Sequence, residues 1–148
     1  MSESTVHFFP SEPLVALLGN PNCGKTALFN LLTGSRQKVA NHSGVTVERK
    51  EGRLALDSGK NIRILDLPGA YSLYPRSLDE RVTCNVLQGR AEGEKRPDLV
   101  LCIFSAMNLR RNLRLVLAAK RLGLPCVVVL NMLDVAKRQG LQIDTDAL

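Results

Sequence analysis

The sequence predicts an α/β fold, a mostly parallel β-sheet covered by helices, with one antiparallel hairpin at its edge. Three observations predict it. Short continuous apolar runs read as strands: "LVALLG" as a central strand buried on both faces, "DLVLCIFSA" as another buried strand and "CVVVLNM" as the last visible one. Segments of helical period alternate with them, as the crossovers of a parallel sheet require. "GRLALDSGKNIRILDLP" reads as two strands joined at "DSGKN", an antiparallel hairpin.

Each element has a local reason. Leu14 to Gly19 give the first strand; Leu28, Leu31 and Leu32 then recur at helical spacing, and Gly34 ends that helix. "SRQKVANHSGVTVERKEG" is polar, lacks a period and is long for a connection, so a functional loop is expected there. Ser77 and Glu80 form an S-x-x-E capping box. The helix it opens puts Leu78, Val82 and Val86 on one face and ends near Gly89. Asn108 is expected to cap the next helix, with Leu109, Leu113, Val116 and Leu117 inward and Gly123 closing it before Pro125. A last helix begins near Leu133, and the final "QIDTDAL" has no regular pattern.

Composition bounds the function classes. The 148 residues suit one domain, and 45% hydrophobic with 23% charged residues suits a globular core. No apolar run reaches the roughly 20 residues that span a bilayer. "MSESTVHFFP" carries no secretory signal pattern, so residues 1–12 are expected to be an extension and 13–148 the domain. The four cysteines stand far apart, which argues against a zinc ribbon or disulfide scaffold and fits a reducing compartment. The net charge of +6 leaves three readings: a solvated basic face, an anionic membrane, or RNA. The scattered basic residues and 4% aromatics argue against a stacking platform for single strands.

Gly19-x4-Gly24-Lys25-Thr26 matches G-x-x-x-x-G-K-[ST] between a predicted strand and a predicted helix. Such a loop turns backbone N–H groups onto a phosphate, at the positive end of the helix that follows. Lys25 is then placed to bridge the β- and γ-phosphates and the Thr26 hydroxyl to hold Mg²⁺. Asn20, Pro21, Asn22, Cys23 and Ala27 belong to the same contact stretch. "NMLD" ends the last visible strand, where open parallel sheets bind ligands. Asp134 can accept from the N1–H and 2-amino group of guanine, donors that adenine lacks. Asn131 would brace the loop and the purine edge, and the Met132 stem would pack along the base. "DLPG" places Asp66 to reach Mg²⁺ through water and the Gly69 N–H to reach the γ-phosphate. Thr46, with Gly44 and Val45 beside it in the long loop, is placed as a second Mg²⁺ ligand. Release of such a contact on hydrolysis is an order–disorder switch.

These motifs, with "GNPNCGKTALFNLLTG", "GVTVERKEG", "DLPGAYSL", "DERV", "NLRRNL" and "LNMLD" in this order, resemble the G domain of FeoB, the bacterial ferrous-iron transporter family, over about Leu14 to Gly140. The resemblance implies a Ras-like P-loop GTPase domain that binds GTP and GDP with Mg²⁺. It also implies a following helical regulatory domain, a polytopic membrane domain carrying Fe²⁺, and a place on the cytoplasmic face of the inner membrane. No nucleic-acid partner is implied, and oligomeric state stays open. By similarity to cation-stimulated GTPases, Asn22 would help hold K⁺ against the phosphates, with backbone carbonyls of the 38–51 loop completing the site. Ala70, where many GTPases carry Gln, cannot orient water, so turnover is expected to be slow; Arg76 and Arg81 stand near enough to be considered as fingers. Relative to the family, Cys23 replaces Ser or Ala and suggests oxidation-sensitive binding. Ser105 replaces Asp and Arg110 replaces Glu, changes expected to touch packing rather than nucleotide chemistry. The sequence ends before the family's last strand, fifth motif and terminal helix, which implies weaker binding and an exposed last strand. Two alternatives remain at this point: an RNA- or ribosome-associated cation-dependent GTPase, and a nucleotide-binding module with little catalysis.

Overall fold

The computed structural model describes residues 12–21, 23–34, 37–74 and 76–147. The expectations for residues 1–11 and for the Asn22 side chain lie outside them.

Six strands form one sheet: β1 (Leu14–Gly19), β2 (Gln37–Asn41), β3 (Glu48–Ala55), β4 (Asn61–Asp66), β5 (Leu99–Ser105) and β6 (Cys126–Asn131). The order is β2-β3-β4-β1-β5-β6. β4, β1, β5 and β6 run parallel, while β3 pairs antiparallel with both β2 and β4. The helices are α1 (Lys25–Thr33), α2 (Leu78–Leu87), α3 (Leu109–Arg121) and α4 (Leu133–Arg138). The α/β architecture is the expected one, and its antiparallel edge is one strand wider than the sequence suggested. Gln37–Asn41, read as loop, pairs in register with Glu48–Gly52, also read as loop. The reason is positional: every residue of β2 is exposed or half-buried, so an edge strand carries no buried apolar period to read.

Alternation along β1 sends Leu14, Ala16 and Leu18 to one face and Val15 and Leu17 to the other. The first group packs with α2 and α3 through Val86, Leu87, Leu115 and Ala119. The second packs with Phe29 of α1 and with Cys23. Full burial of a side chain such as Phe29 or Leu17 is worth about 1.5–3 kcal/mol, so both faces hold the sheet.

Helix phase corrects three expectations. Phe29 and Thr33 face the core from α1 and Leu31 is 79% exposed, since it stands about 200° round the helix from Phe29. On α2, Val82 and Val86 are buried but Leu78 is exposed at the first turn. On α3 the buried stripe is Asn112, Leu115, Val116 and Ala119, leaving Leu117 exposed. The capping box forms as expected: Glu80 N–H donates to Ser77 Oγ at 3.2 Å. Asn108 precedes α3 but its side chain caps nothing; Ser105 Oγ instead accepts from Met107 N–H at 3.2 Å. β6 is an edge of the described sheet, with Val127 and Val128 exposed, and no helix among the described residues is long and apolar enough to cross a membrane.

Candidate nucleotide site

The site lies at the C-terminal ends of β1, β4 and β6, where a parallel sheet gathers its loops. β1 ends at Gly19, and α1 starts at Lys25 after Gly24 in a left-handed conformation (φ 91°). No side chain caps α1, so its first-turn N–H groups face outward unclaimed by a cap, as an anion-binding helix end needs. Gly24 also sits against β6: a Cβ there would strike the Asn131 side-chain amide. That amide donates to Cys23 C=O at 3.1 Å, while Asn131 Oδ1 accepts from Met132 N–H at 2.9 Å. Asn131 thus ties the end of β6 to the loop before α1.

The second wall comes from β4 and the loop after it. Asp66 is buried and ion-paired with the Lys25 ammonium. Gly69 lies against Pro21, where a Cβ would come within 2.8 Å of the proline ring. Ala70 N–H donates to Gly19 C=O at 2.9 Å, and its methyl is buried. A cavity of about 670 Å³ opens over Asn20, Pro21, Gly24, Ala27, Gly69 and Met132. A neighbouring cavity of about 370 Å³ is lined by Thr46 and Asp66, and Lys25 and Thr26 line both. Lys25, Thr26, Thr46 and Asp66 therefore stand on one surface despite separations of up to forty-one positions.

Thr46 rides on a turn in which His42 N–H donates to Val47 C=O (2.9 Å) and Val45 N–H to His42 C=O (3.2 Å). Gly44 and Val45 line neither of these cavities; Val45 faces another, of about 260 Å³, beside His42 and α2. His42 is buried and its Nε2 has no partner among the described residues. Burial, and then Arg49, hold this imidazole below the usual histidine range, with Glu94 pulling the other way. Behind the turn, Arg49 and Arg63 both pair with Glu51 and Glu94. Burial works against a charged Glu51, but Arg63 and Arg49 together outweigh it and hold the carboxyl below its ordinary value.

At the other end, Met132 takes a left-handed φ of 62° at the start of α4, and Ser105 Oγ donates to its sulfur at 3.4 Å. Asp134 projects into solvent, 71% exposed, with Arg138 3.9 Å away, and lines neither cavity. Asn20 reaches the groove, yet its side chain turns inward to Asn112 of α3. Cys23 is placed differently from the oxidation-sensitive thiol that its substitution suggested. It is 2% exposed in the apolar cluster with Val15, Leu17 and Phe29, and burial pushes the thiol up despite the nearby Lys25. Such a thiol is poorly nucleophilic and shielded from oxidants. Arg81 lines the cavity beside His42 rather than the phosphate groove, and Arg76 lines neither.

Two residues here were given no role by the sequence reading, although each lies in a motif quoted above, "DERV" and "NLRRNL". Asp79, in the first turn of α2, lines both groove cavities; its place at the head of "DERV" was the signal. Asn112 is 1% exposed and donates to Ser105 C=O at 3.2 Å while receiving Asn20. A lone amide on an otherwise apolar helix stripe was the clue that could have found it.

Comparison with known proteins gives one consistent answer. The family described as "Ferrous iron transport protein B" (FeoB_N) matches residues 14–148. The Fe(2+) transporter FeoB of Salmonella typhimurium is 50% identical over 139 residues, covering 90% of this chain and 17% of that protein. The same protein of Escherichia coli K12 is likewise 50% identical over 139 residues, with the same coverages. The chain thus spans about a sixth of the length of these relatives. Among solved structures, the cytosolic domain of L. pneumophila FeoB has a TM-score of 0.81 at 43% identity, covering 90% of this chain and 51% of that one. A point mutant of S. thermophilus NFeoB bound to mGDP also scores 0.81, at 44% identity over 92% of this chain and 50% of that one. The G domain of T. maritima FeoB scores 0.76 at 40% identity, covering 90% and 77%.

Proposed function

Since this chain belongs to the FeoB_N family and is its G domain, a P-loop GTPase, we propose that it binds guanine nucleotides and hydrolyses GTP slowly, as the regulatory switch of a ferrous-iron transporter. What supports this reading best is the shared surface of Lys25, Thr26, Thr46 and Asp66, which gathers three separate sequence motifs on one cavity. The solved relative with mGDP bound supports the choice of nucleotide.

The residues have separable tasks in this reading. The uncapped first turn of α1 and the Gly24 backbone receive phosphate oxygens, and Lys25 neutralises charge where it develops during transfer. The hydroxyls of Thr26 and Thr46 and the Asp66 carboxylate are hard oxygen donors of the kind Mg²⁺ takes, so they fit that ion. Mg²⁺, when bound, would offset charge on the β- and γ-phosphates. Asp134, free of the cavity walls, is available to a base lying beyond Met132, and Asn131 holds the cradle against that end. Ala70 supplies no side chain to orient water, since its methyl is buried; this supports a slow rate and an outside cation. We assign that role to K⁺ with Asn22. This domain would sit at the cytoplasmic face of a bacterial inner membrane, and the helical and membrane domains of the full-length protein would read its nucleotide state.

Nucleotide binding by the wild type and Asp134→Asn, with GTP, ATP and XTP in K⁺ buffer, tests the base assignment. The wild type should prefer GTP by about 100-fold or more, and the variant should move toward XTP. Equal affinity for ATP would overturn it. Single-turnover hydrolysis in Na⁺ and K⁺, with Asn22→Ala alongside, tests the cation: equal rates in both salts and an unchanged variant would exclude it.

A further inference from the structure

Helix α3 carries Arg110, Arg111, Arg114, Lys120 and Arg121 and not one acidic residue. All five are exposed, and none forms an ion pair among the described residues. Arg110, Arg114, Leu117 and Arg121 follow one another at helical spacings of four, three and four, so they form a single outward stripe. The opposite stripe, from Asn112 to Ala119, is the one buried on the sheet. The outward stripe is not uniformly polar: Leu117 is 56% exposed at its centre.

Beside it lies the loop that follows Gly69. Tyr74 is 76% exposed and Tyr71 51% exposed, and the Arg111 guanidinium stands 5.7 Å from the Tyr71 ring centroid. Ser72 Oγ accepts from Tyr74 N–H at 3.3 Å and so shapes the loop at its tip. Between loop and helix is a cavity of about 370 Å³ with Leu73, Leu117, Ala118 and Leu122 in its lining and Arg114 and Arg121 at its sides. Exposed tyrosine and arginine are residue types that carry binding energy in protein interfaces, and here they surround a concave apolar centre. Unpaired cations around that centre specify the opposite charge on the partner.

We propose that the outward face of α3, together with the Leu73 and Tyr74 loop, docks an acidic protein segment that inserts an apolar side chain between Arg114 and Arg121. The concave leucine-lined centre is what favours a protein segment: a bilayer surface is flat and does not reach into it, and a phosphodiester backbone brings no apolar group to fill it. This surface lies apart from the phosphate groove, so the proposal stands or falls independently of the nucleotide assignment.

The test is fluorescence anisotropy of the full chain with labelled peptides at physiological salt. The probe is a helical peptide of about 16 residues made of Glu and Leu, with leucines at i, i+4 and i+7, compared with one in which Ser replaces Leu. The Glu–Leu peptide should bind at least about 10-fold tighter than the Glu–Ser peptide. Arg114→Glu with Arg121→Glu, and separately Leu117→Asp, should each weaken it at least about 10-fold while circular dichroism and GDP affinity stay at wild-type values. Equal binding of the two peptides, or changes under about threefold in both variants, would overturn the proposal. So would tighter binding to phosphatidylglycerol vesicles or to oligouridine than to the Glu–Leu peptide.

Discussion

Two loops face each other across the groove, the cradle from Gly19 to Lys25 and the turn from His42 to Val47, and they are held by very different amounts of structure. The cradle is fixed from four sides. Asn131 of β6 donates into it, the loop after β4 donates to Gly19, Asn112 of α3 takes the Asn20 side chain, and Cys23 is sunk in the core. The turn has two internal backbone bonds, buried His42 and Val47 as its feet, and an exposed Thr46 at its tip. The difference assigns their parts. A loop pinned by four elements is built before any ligand arrives, whereas one standing on two feet is left for a ligand to order.

The largest expected effect comes from breaking the cradle. Gly24→Ala adds a left-handed strain and a methyl that displaces the Asn131 amide from Cys23 C=O. GDP and GTP affinity should both fall about 100-fold, roughly 2.7 kcal/mol, in a titration with fluorescent nucleotide. A drop confined to GTP would show that the cradle is not the common part. Next is Thr46→Ala, which should leave GDP affinity within about twofold and weaken a non-hydrolysable GTP analogue with Mg²⁺ about 10-fold. If GDP fell equally, the turn would belong to the cradle and the contrast between the loops would collapse. Asn131→Ala removes one brace of four, so a loss of about five- to tenfold for both nucleotides is expected. No change would mean that the other three braces suffice.

The smallest effect concerns the foot of the turn. His42 titrates lower folded than unfolded, chiefly through burial, so the unfolded chain takes up the proton first. The stability of the neutral ring is therefore complete above its unfolded value, about pH 6.5, and is lost as pH falls through the lower folded value. The melting temperature should drop between about pH 7 and 5, and more steeply in the wild type than in His42→Gln. Parallel curves would show that the imidazole does not anchor the turn.

Legibility followed burial and local chemistry. β1 and β5 were readable because strands between parallel neighbours need apolar runs, β6 because its edge position still carries the continuous apolar run CVVVL, and the Ser77 box because its partners lie three residues apart. β2 was invisible because an edge strand with no buried residue has no period to show. Leu31, Leu78 and Leu117 were grouped with their helices' apolar residues by spacing, and the exposed face of each helix accepted them because an isolated apolar side chain on a surface costs little. The oxidation-sensitive reading of Cys23 rested on its replacing Ser or Ala in the phosphate loop, while its side chain is buried in the core cluster with Phe29.

The sequence by itself determined where a phosphate-binding turn is expected, because such a turn needs glycines like Gly19 and Gly24 and a cation like Lys25 within a few residues. These are local requirements, and a local pattern states them. The tertiary structure alone decided what each part stands on: that Asn131 closes over Gly24, that Asn20 is tied to Asn112, that Cys23 is buried, and that α3 turns a cationic stripe outward beside Tyr74. Those facts join residues up to about a hundred positions apart, and only the packing of helices on the sheet brings them into contact.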